Sequence, residues 1–400
     1  MEPKFYNKEQ HLINLEDIDR DALSVIQTLR AAGHKAYLVG GCVRDLLLKH
    51  TPKDFDISTS ALPEEIKPLF SRCFLVGRRF RLAHVQFGRK TIEVSTFRQG
   101  DPEDESLIVS DNLWGNEEDD VMRRDFTING LFYDPVQEII IDYVNGIDDA
   151  KKCYLRSIGN SFIRFKQDPV RMIRLLKFRA RFGLEIDPEA INALFECRTE
   201  ILKSAKPRIL EEILRMLESG SSHSFIKLLA NHGILEILLP TISNFLEKKE
   251  GSEIYSFLEE IDRMIVIEHK TKIPRAILLS ALIFPLLQRH IHLLHQKRTK
   301  PMHLGEIQEE VFFIIHEAFA PFLFIPRKIT GQLISILTSQ YRFVPIAKKK
   351  YIPIRIPRIA DFHLALDFFK LRTQIEPGLQ KLFEEWNYYW KKKQKRTRST

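Results

Sequence analysis

Apolar residues in the first 150 positions alternate between helical and strand spacing. Within residues 17–32 they recur three or four positions apart, which predicts a helix that ends at Gly33. Short apolar or alternating segments predict strands at residues 36–39, 55–58, 85–87, 91–97 and 139–143. Helices are expected after Gly40-Gly41 and over residues 62–70, where Pro63 lies in the first turn. The pattern therefore predicts an α+β head, with a mixed sheet, over residues 1–150.

After residue 150 the strand patterns fade and helical spacing dominates. Helices are predicted at residues 169–182, 188–204, 207–218 and 224–231, and most of the remaining chain also has helical spacing, with residues 341–357 left open as loop or extended chain. We divide this part into segments 151–240, 241–385 and a basic tail at 386–400. The longest apolar run, residues 276–287, is too short to span a bilayer and contains Pro285. It predicts a buried helix, and no membrane partner is expected.

The composition, net charge and cysteine spacing indicate the general class of this protein and the kind of partner it favours. A chain of 400 residues with 44% hydrophobic and 28% charged residues is typical of a globular protein with two or three domains. The net charge of +8 favours a polyanionic partner. The four cysteines are too scattered for a metal or redox motif, which predicts reduced thiols in a cytoplasmic protein: Cys42, Cys73, Cys153 and Cys197.

Two basic stretches carry aromatic residues among their cations. The first contains Tyr341, Phe343 and Tyr351, and its cations are Arg342, Lys348, Lys349, Lys350, Arg355 and Arg358. The second is the lysine-rich end that follows Trp386 and Trp390. Rings can stack on bases while cations contact phosphates, so both stretches are candidates for binding single-stranded nucleic acid. For the last ten residues a solubilising, disordered tail is the alternative.

Asp54-Phe55-Asp56 is the first candidate for catalytic chemistry. On a strand, two carboxylates separated by one residue point to the same side. Mg²⁺ favours such oxygen ligands together with substrate phosphates. Gly40-Gly41, shortly before, would let backbone N–H groups approach a phosphate. Glu93 on the predicted strand 91–97 is either a third oxygen ligand or a partly solvated glutamate paired with a nearby arginine.

Residues 123–129 form a dense polar block between apolar neighbours. Arg123 and Arg124 offer planar guanidinium groups that suit bidentate phosphate binding. Asp125 could accept a hydrogen bond from a ribose hydroxyl, orient an arginine or serve a metal, and a buried structural ion pair is the alternative. The acidic run at residues 117–120 is interpreted as a surface turn or a helix start rather than a metal site.

Residues 168–177 combine a helix start with a row of cations. Asp168 before Pro169 predicts an N-cap followed by the first helical position. Arg171, Arg174 and Lys177 follow at steps of three, so the row curls around the helix. It could follow a triphosphate or the edge of a base. The alternative is simple capping by Asp168 with a solvated basic face.

Together these motifs resemble those of class II template-independent nucleotidyltransferases, the group that contains tRNA CCA-adding enzymes and bacterial poly(A) polymerases. The resemblance runs in matching order from residue 35 to about residue 240, through segments 38–56, 123–129 and 168–171. It implies a polymerase-β-like catalytic head at 1–150, a helical neck for nucleotide selection and RNA binding at 151–240, and an RNA-binding helical body at 241–385.

The resemblance also implies roles for individual residues. Asp54 and Asp56 would hold two Mg²⁺ ions, with Glu93 as a possible further ligand, and Asp125 is counted among active-site residues in poly(A) polymerases. ATP is the implied nucleotide, and the positions that match nucleotide-binding residues are Gly40, Gly41, Arg44, Arg124, Asp168, Arg171, Arg174 and Lys177.

Residues 75–85 resemble the element that separates poly(A) polymerases from CCA-adding enzymes. Within it, Arg78 and Arg79 would contact RNA, as Lys348, Lys349 and Lys350 would farther along; a surface loop is the alternative for the arginine pair. The expected activity is AMP addition from ATP to RNA 3′ ends, linked to RNA processing and decay, with RNA-decay proteins as possible partners. CCA addition and a non-catalytic RNA-binding role are the rivals. Two departures from the family pattern, Gln167 for glutamate and Lys177 for arginine, bear on nucleotide selectivity.

Overall fold

The computed structural model describes residues 2–77, 81–99, 107, 113–270, 272–320, 322–346 and 354–398. The chain forms two compact units, an N-terminal unit of Met1–Ile201 and a C-terminal unit of Leu202–Thr400. The finer division at residues 150, 240 and 385 stays a prediction.

The N-terminal unit is built on a mixed sheet. Its strands are β1 (Lys4–Tyr6), β2 (Ala36–Val39), β3 (Asp56–Thr59), β4 (Cys73–Val76), β5 (Leu82–Phe87), β6 (Lys90–Thr96), β7 (Leu131–Asp134) and β8 (Ile139–Asp142). Their order is β1-β8-β7-β2-β3-β6-β5-β4, and only β3 and β6 run parallel. A separate parallel pair joins β9 (Tyr154–Leu155) and β10 (Glu185–Ile186). The mixed sheet confirms the predicted α+β head.

Nine helices belong to the described part of this unit: α1 (Lys8–His11), α2 (Arg20–Ala31), α3 (Gly41–Leu47), α4 (Pro63–Ile66), α5 (Glu117–Met122), α6 (Gly146–Lys151), α7 (Ser161–Gln167), α8 (Val170–Phe182) and α9 (Pro188–Cys197). The predicted helix at 17–32 is confirmed as α2. It begins after Asp19, whose carboxylate accepts from two backbone N–H groups. It ends at Ala31, two residues before Gly33, where φ is +90°.

The sheet separates two apolar layers, because neighbouring residues of a strand point to opposite faces. On one face Leu38 and Ile57 pack with side chains of α2 and α3. On the other face Val39 and Phe132 pack with Val121 of α5. The residues of β1, β4 and β7 had not been predicted as strands.

The C-terminal unit contains only helices among its described elements: α10 (Lys206–Leu217), α11 (Ser222–Asn231), α12 (Ile234–Leu238), α13 (Pro240–Leu246), α14 (Ser252–Val266), α15 (Arg275–Gln296), α16 (Leu304–Phe319), α17 (Arg327–Phe343), α18 (Phe362–Ile375) and α19 (Gln380–Arg398), apart from short 3₁₀ turns. The helix α15 confirms the predicted buried helix around Pro285. The helix is longer than the predicted apolar run at 276–287, and by length and composition alone it could cross a bilayer, but 61% of its apolar window is buried in the protein.

The last helix corrects two expectations about the basic stretches. Residues predicted as a possible disordered tail form α19, and Trp386 is buried against Phe343 and Phe369. The ring of Phe343 stacks on Phe369 with centroids 4.7 Å apart. Phe343 therefore supports the core of this unit and is not available to stack on a base.

Candidate active site

The glycine pair and the Asp54-Phe55-Asp56 motif lie at one edge of the sheet. In the antiparallel pairing of β2 with β3, Val39 is directly opposite Asp56. The chain then turns sharply at Gly40, where φ is +72°, and enters α3 at Gly41. A left-handed φ of this kind favours glycine because it has no Cβ. The turn and the carboxylate of Asp56 are therefore neighbours on the fold.

Only one of the two motif aspartates lies on a strand. Asp56 is half-buried and begins β3, whereas Asp54 is exposed in the preceding loop, so the expectation that both side chains share a strand face was wrong for Asp54. Their carboxylates still suit a hard divalent cation, and the exposure of Asp54 leaves room for phosphate oxygens. Among the described residues no group of three or more His, Cys, Asp or Glu could hold a metal.

Glu93 does not complete such a group. The strands β3 and β6 run parallel, and Ile57 pairs with Val94. One residue earlier on each strand, Glu93 would therefore lie beside Asp56. Its side chain is nevertheless 52% exposed, and its carboxylate lies 3.7 Å from Nε2 of His84. The prediction of a third metal ligand here is not met in this structure, and the partner is a histidine rather than the expected arginine.

Arg124 reaches the glycine turn and is held there by a buried aspartate. Its Nη2 donates to Oδ2 of Asp120 at 2.6 Å and to the hydroxyl of Ser58 at 3.3 Å. A Cβ on Gly40 would lie 3.1 Å from Nη1 of Arg124. The acidic run is a helix start, as predicted, but Asp120 is only 4% exposed and was missed as a site residue. The sequence signal that could have identified Asp120 was its position four residues before Arg124, since side chains at that spacing are neighbours on a helix.

Arg44 is buried rather than directed at solvent. Its guanidinium donates to Oδ1 of Asp45, and its Nη1 donates to Oδ1 of Asn129 at 2.8 Å. The guanidinium carbon lies 4.7 Å from the ring centroids of both Phe178 and Phe182 on α8. Burial lowers the pKa of Arg44, and Asp45 opposes that shift. In this structure Arg44 links α3 to α8, and its nucleotide contact stays a prediction.

Asp125 orients an arginine, one of the roles left open by the sequence. Its Oδ1 accepts from the backbone N–H of Phe126 and from Nδ2 of Asn129, both at 2.8 Å. Its Oδ2 lies 2.7 Å from Nη2 of Arg174. Because Asn129 also accepts from Arg44, one amide connects the two arginines through Asp125. This network joins the polar block at 123–129 to α8.

The charge of Asp125 should contribute to stability at neutral pH. Burial raises its pKa, but Arg174 and Asn129 more than offset burial and hold the pKa below its usual value. The contribution is therefore present above the unfolded pKa, about 3.9, and is lost as pH falls through the folded value. Asp125→Asn should destabilise the protein by about 1.5–3 kcal/mol at about pH 6 and by less at about pH 3. Urea unfolding at both pH values measures the difference; an equal loss at both would contradict it.

The start of α8 differs from its prediction. Pro169, not Asp168, is the N-cap residue, and Arg171 is buried. The guanidinium of Arg171 donates to the backbone carbonyls of Arg123 at 2.9 Å and Arg164 at 3.2 Å. A fully solvated basic face is therefore wrong for this row.

Gln167 and the other cations of the row occupy different environments. Gln167 is buried, and its Oε1 accepts from Nη1 of Arg164 at 3.0 Å. Arg174 remains 36% exposed beside Asp125, and Lys177 is half-buried with its Nζ 5.6 Å from the Phe178 ring centroid. Of the predicted nucleotide-binding row, Arg174 and Lys177 are thus the members that solvent can reach. The predicted RNA contacts Arg78, Arg79, Lys348, Lys349 and Lys350 lie outside the described residues.

Two family models match the chain. Residues 36–156 match the poly A polymerase head domain. Residues 183–246 match a model described as the probable RNA and SrmB-binding site of polymerase A. The first match contains the glycine turn, both motif aspartates and Asp125.

Curated relatives extend the similarity along the chain. Poly(A) polymerase I of Escherichia coli O6:H1 is 34% identical over 96% of this chain and 84% of its own length. Poly(A) polymerase I of Haemophilus influenzae is 35% identical over 92% of this chain and 83% of its own. The CCA-adding enzyme of Lactobacillus helveticus is 34% identical over 61% of this chain and 60% of its own.

Solved structures agree in fold. The Bacillus stearothermophilus CCA-adding enzyme in complex with CTP matches with a TM-score of 0.52 and 22% identity, over 95% of this chain and 98% of that one. The Thermotoga maritima CCA-adding enzyme complexed with tRNA matches with a TM-score of 0.55 and 18% identity, over 98% and 100%.

Proposed function

The chain belongs to the tRNA nucleotidyltransferase/poly(A) polymerase family, and we propose that it adds AMP residues from ATP to RNA 3′ ends and releases pyrophosphate. The observation that carries this choice is the extent of similarity: 96% of the chain aligns with a poly(A) polymerase I, against 61% with a CCA-adding enzyme. The proposed role is tailing of bacterial RNA during processing and decay.

The donor set supports a metal-assisted reaction at Asp54 and Asp56. These two carboxylates would hold Mg²⁺, and phosphate oxygens of ATP would complete the coordination. When bound, two such ions lower the pKa of the attacking hydroxyl and stabilise the charge that develops on the leaving pyrophosphate. The 3′-hydroxyl of RNA would lose its proton to solvent as its oxygen bonds to the α-phosphorus of ATP, and the bond between the α-phosphorus and the oxygen that bridges to the β-phosphate would break and release pyrophosphate.

The neighbouring residues would bind and orient the nucleotide. Arg124 at the Gly40 turn presents a cation to the triphosphate, and Asp120 fixes its orientation. Arg174, held by Asp125, and the half-buried Lys177 are the members of the predicted row that solvent can reach, and they could contact the base or the ribose. The neutral amide of Gln167 accepts a hydrogen bond from Arg164, where glutamate would place a buried negative charge.

Purified protein with Mg²⁺, ATP and a generic short RNA should produce a ladder of products, each one nucleotide longer than the last. A parallel reaction uses CTP alone, or CTP with ATP, on a tRNA that lacks its terminal CCA. We expect extension by ATP on both RNAs and little incorporation of CTP. Addition that stops after C, C and A on the tRNA would contradict poly(A) synthesis.

CCA addition is the second candidate, because CCA-adding relatives reach 37% identity and the solved CCA-adding enzymes cover nearly the whole fold. The nucleotide competition above separates the two activities. A non-catalytic RNA-binding protein is the third. Absence of labelled AMP incorporation on every RNA tested, with RNA binding retained, would favour it.

A further inference from the structure

The C-terminal unit exposes one aromatic ring that contributes little to its core. Phe324 lies in the connection between α16 and α17 and is 72% exposed, more than any other large apolar side chain of the described residues. Its neighbours Phe322 and Leu323 are 6% and 2% exposed and already anchor this connection. An exposed phenylalanine ring offers a flat apolar face on which a planar ligand can stack.

A lysine from another helix lies beside the ring. Lys206 is the first residue of α10, and its Nζ is 5.0 Å from the ring centroid of Phe324 and 5.3 Å from that of Phe322. These distances fit a cation–π contact. The contact brings the start of α10 next to the segment that leads into α17.

Both segments are free of acidic residues. No Asp or Glu occurs between Glu200 and Glu211, nor between Glu317 and Asp361. Exposed cations occur on each segment: Lys203, Arg208, Arg327 and Lys328. The two segments that carry Lys206 and Phe324 are therefore positively charged in sequence, which favours a polyanion over an apolar or basic protein surface.

We infer that Phe324 and Lys206 form a stacking site for a base of single-stranded RNA, with the flanking cations contacting its phosphates. A flat exposed ring beside cations is the combination by which proteins bind single strands without sequence preference. The inference rests on the proposed function, since it concerns the RNA that the enzyme extends. It gives the C-terminal unit a defined contact with that RNA outside the described active-site residues.

The test compares Phe324→Ala and Phe324→Trp in the full-length chain. Binding of a fluorescein-labelled oligoadenylate of about 20 nucleotides is measured by anisotropy without ATP, a length that covers one or more single-strand sites. Loss of one stacked base should weaken binding about 5- to 150-fold for Phe324→Ala. Phe324→Trp should bind like the wild type. Lys206→Gln should reduce the slope of log K against log salt by about 0.7.

Phe312→Ala is the matched control. Phe312 is also exposed, at 57%, but lies on α16 beside Glu309 and Glu310. It should leave RNA affinity unchanged. Wild-type RNA affinity in Phe324→Ala would overturn the inference and would point to a protein partner instead. Equal weakening of RNA binding by both alanine variants would also overturn it. Because RNA binding is measured apart from AMP incorporation at saturating RNA, failure of this site is distinguishable from failure of the proposed activity.

Discussion

Asp56→Asn is expected to reduce AMP incorporation into RNA by at least about 10³-fold, which corresponds to about 4 kcal/mol of transition-state stabilisation. Asparagine keeps the size and the hydrogen-bonding oxygen of the side chain but removes the charge that would bind a divalent cation. Asp56 is half-buried at the start of β3, so the sheet should remain intact. Incorporation of labelled AMP under single-turnover conditions gives the rate, and circular dichroism checks the fold.

Glu93→Gln is the control for this variant. Glu93 carries the same charge on the neighbouring strand, but it is exposed and paired with His84. It should retain activity within about threefold, because an exposed contact of this kind contributes at most about 1 kcal/mol. A loss in Glu93→Gln as large as that in Asp56→Asn would restore Glu93 as a metal ligand. Near-normal activity in Asp56→Asn would refute the metal site.

Asp45→Ala should cost about 3–5 kcal/mol of local stability, because it leaves a buried charge without its partner. Asp45 is 4% exposed and accepts from Arg44, and its other oxygen lies 3.3 Å from Arg181. Arg44 is enclosed by two aromatic rings and cannot reach water to recover the lost interaction. Hydrogen exchange of the α3 amides, followed by mass spectrometry, measures the opening free energy.

Asp21→Asn provides the comparison within the same unit. Asp21 pairs with Lys90 at 3.3 Å, and both side chains are about 40% exposed. Water can solvate either charge alone, so we expect a change below about 1 kcal/mol in the exchange of α2. Similar effects of Asp45→Ala and Asp21→Asn would show that burial does not determine the value of the Asp45 interactions.

The site is organised around pairs of arginine and buried aspartate. Asp120 holds Arg124 at the glycine turn, and Asp125 holds Arg174 on α8. Asp45 holds Arg44 between α3 and α8. Holding guanidinium groups in place before a triphosphate arrives reduces the entropy lost on binding.

The amino-acid sequence by itself determined many of the elements and their order, but not β1, β4 and β7. The spacing of apolar residues predicted α2, β2 and β6, since a helix or strand must turn one side toward the core. Gly33 and Gly40 were identifiable because a turn with positive φ favours glycine. The ordered motifs at 38–56, 123–129 and 168–171 indicated the family because the chemistry of each motif depends on the local spacing of its residues.

Only the tertiary structure decided which side chains meet and which face water. Arg124 is positioned in the site because β3 brings Ser58 within hydrogen-bond distance of Arg124, 66 positions away in sequence. Arg171 turned inward because carbonyl groups of a distant segment accept its hydrogen bonds. Phe343 entered the core, whereas Phe324 stayed exposed. Local spacing fixes the direction of a side chain within its own element, but burial and pairing depend on the elements that pack against it.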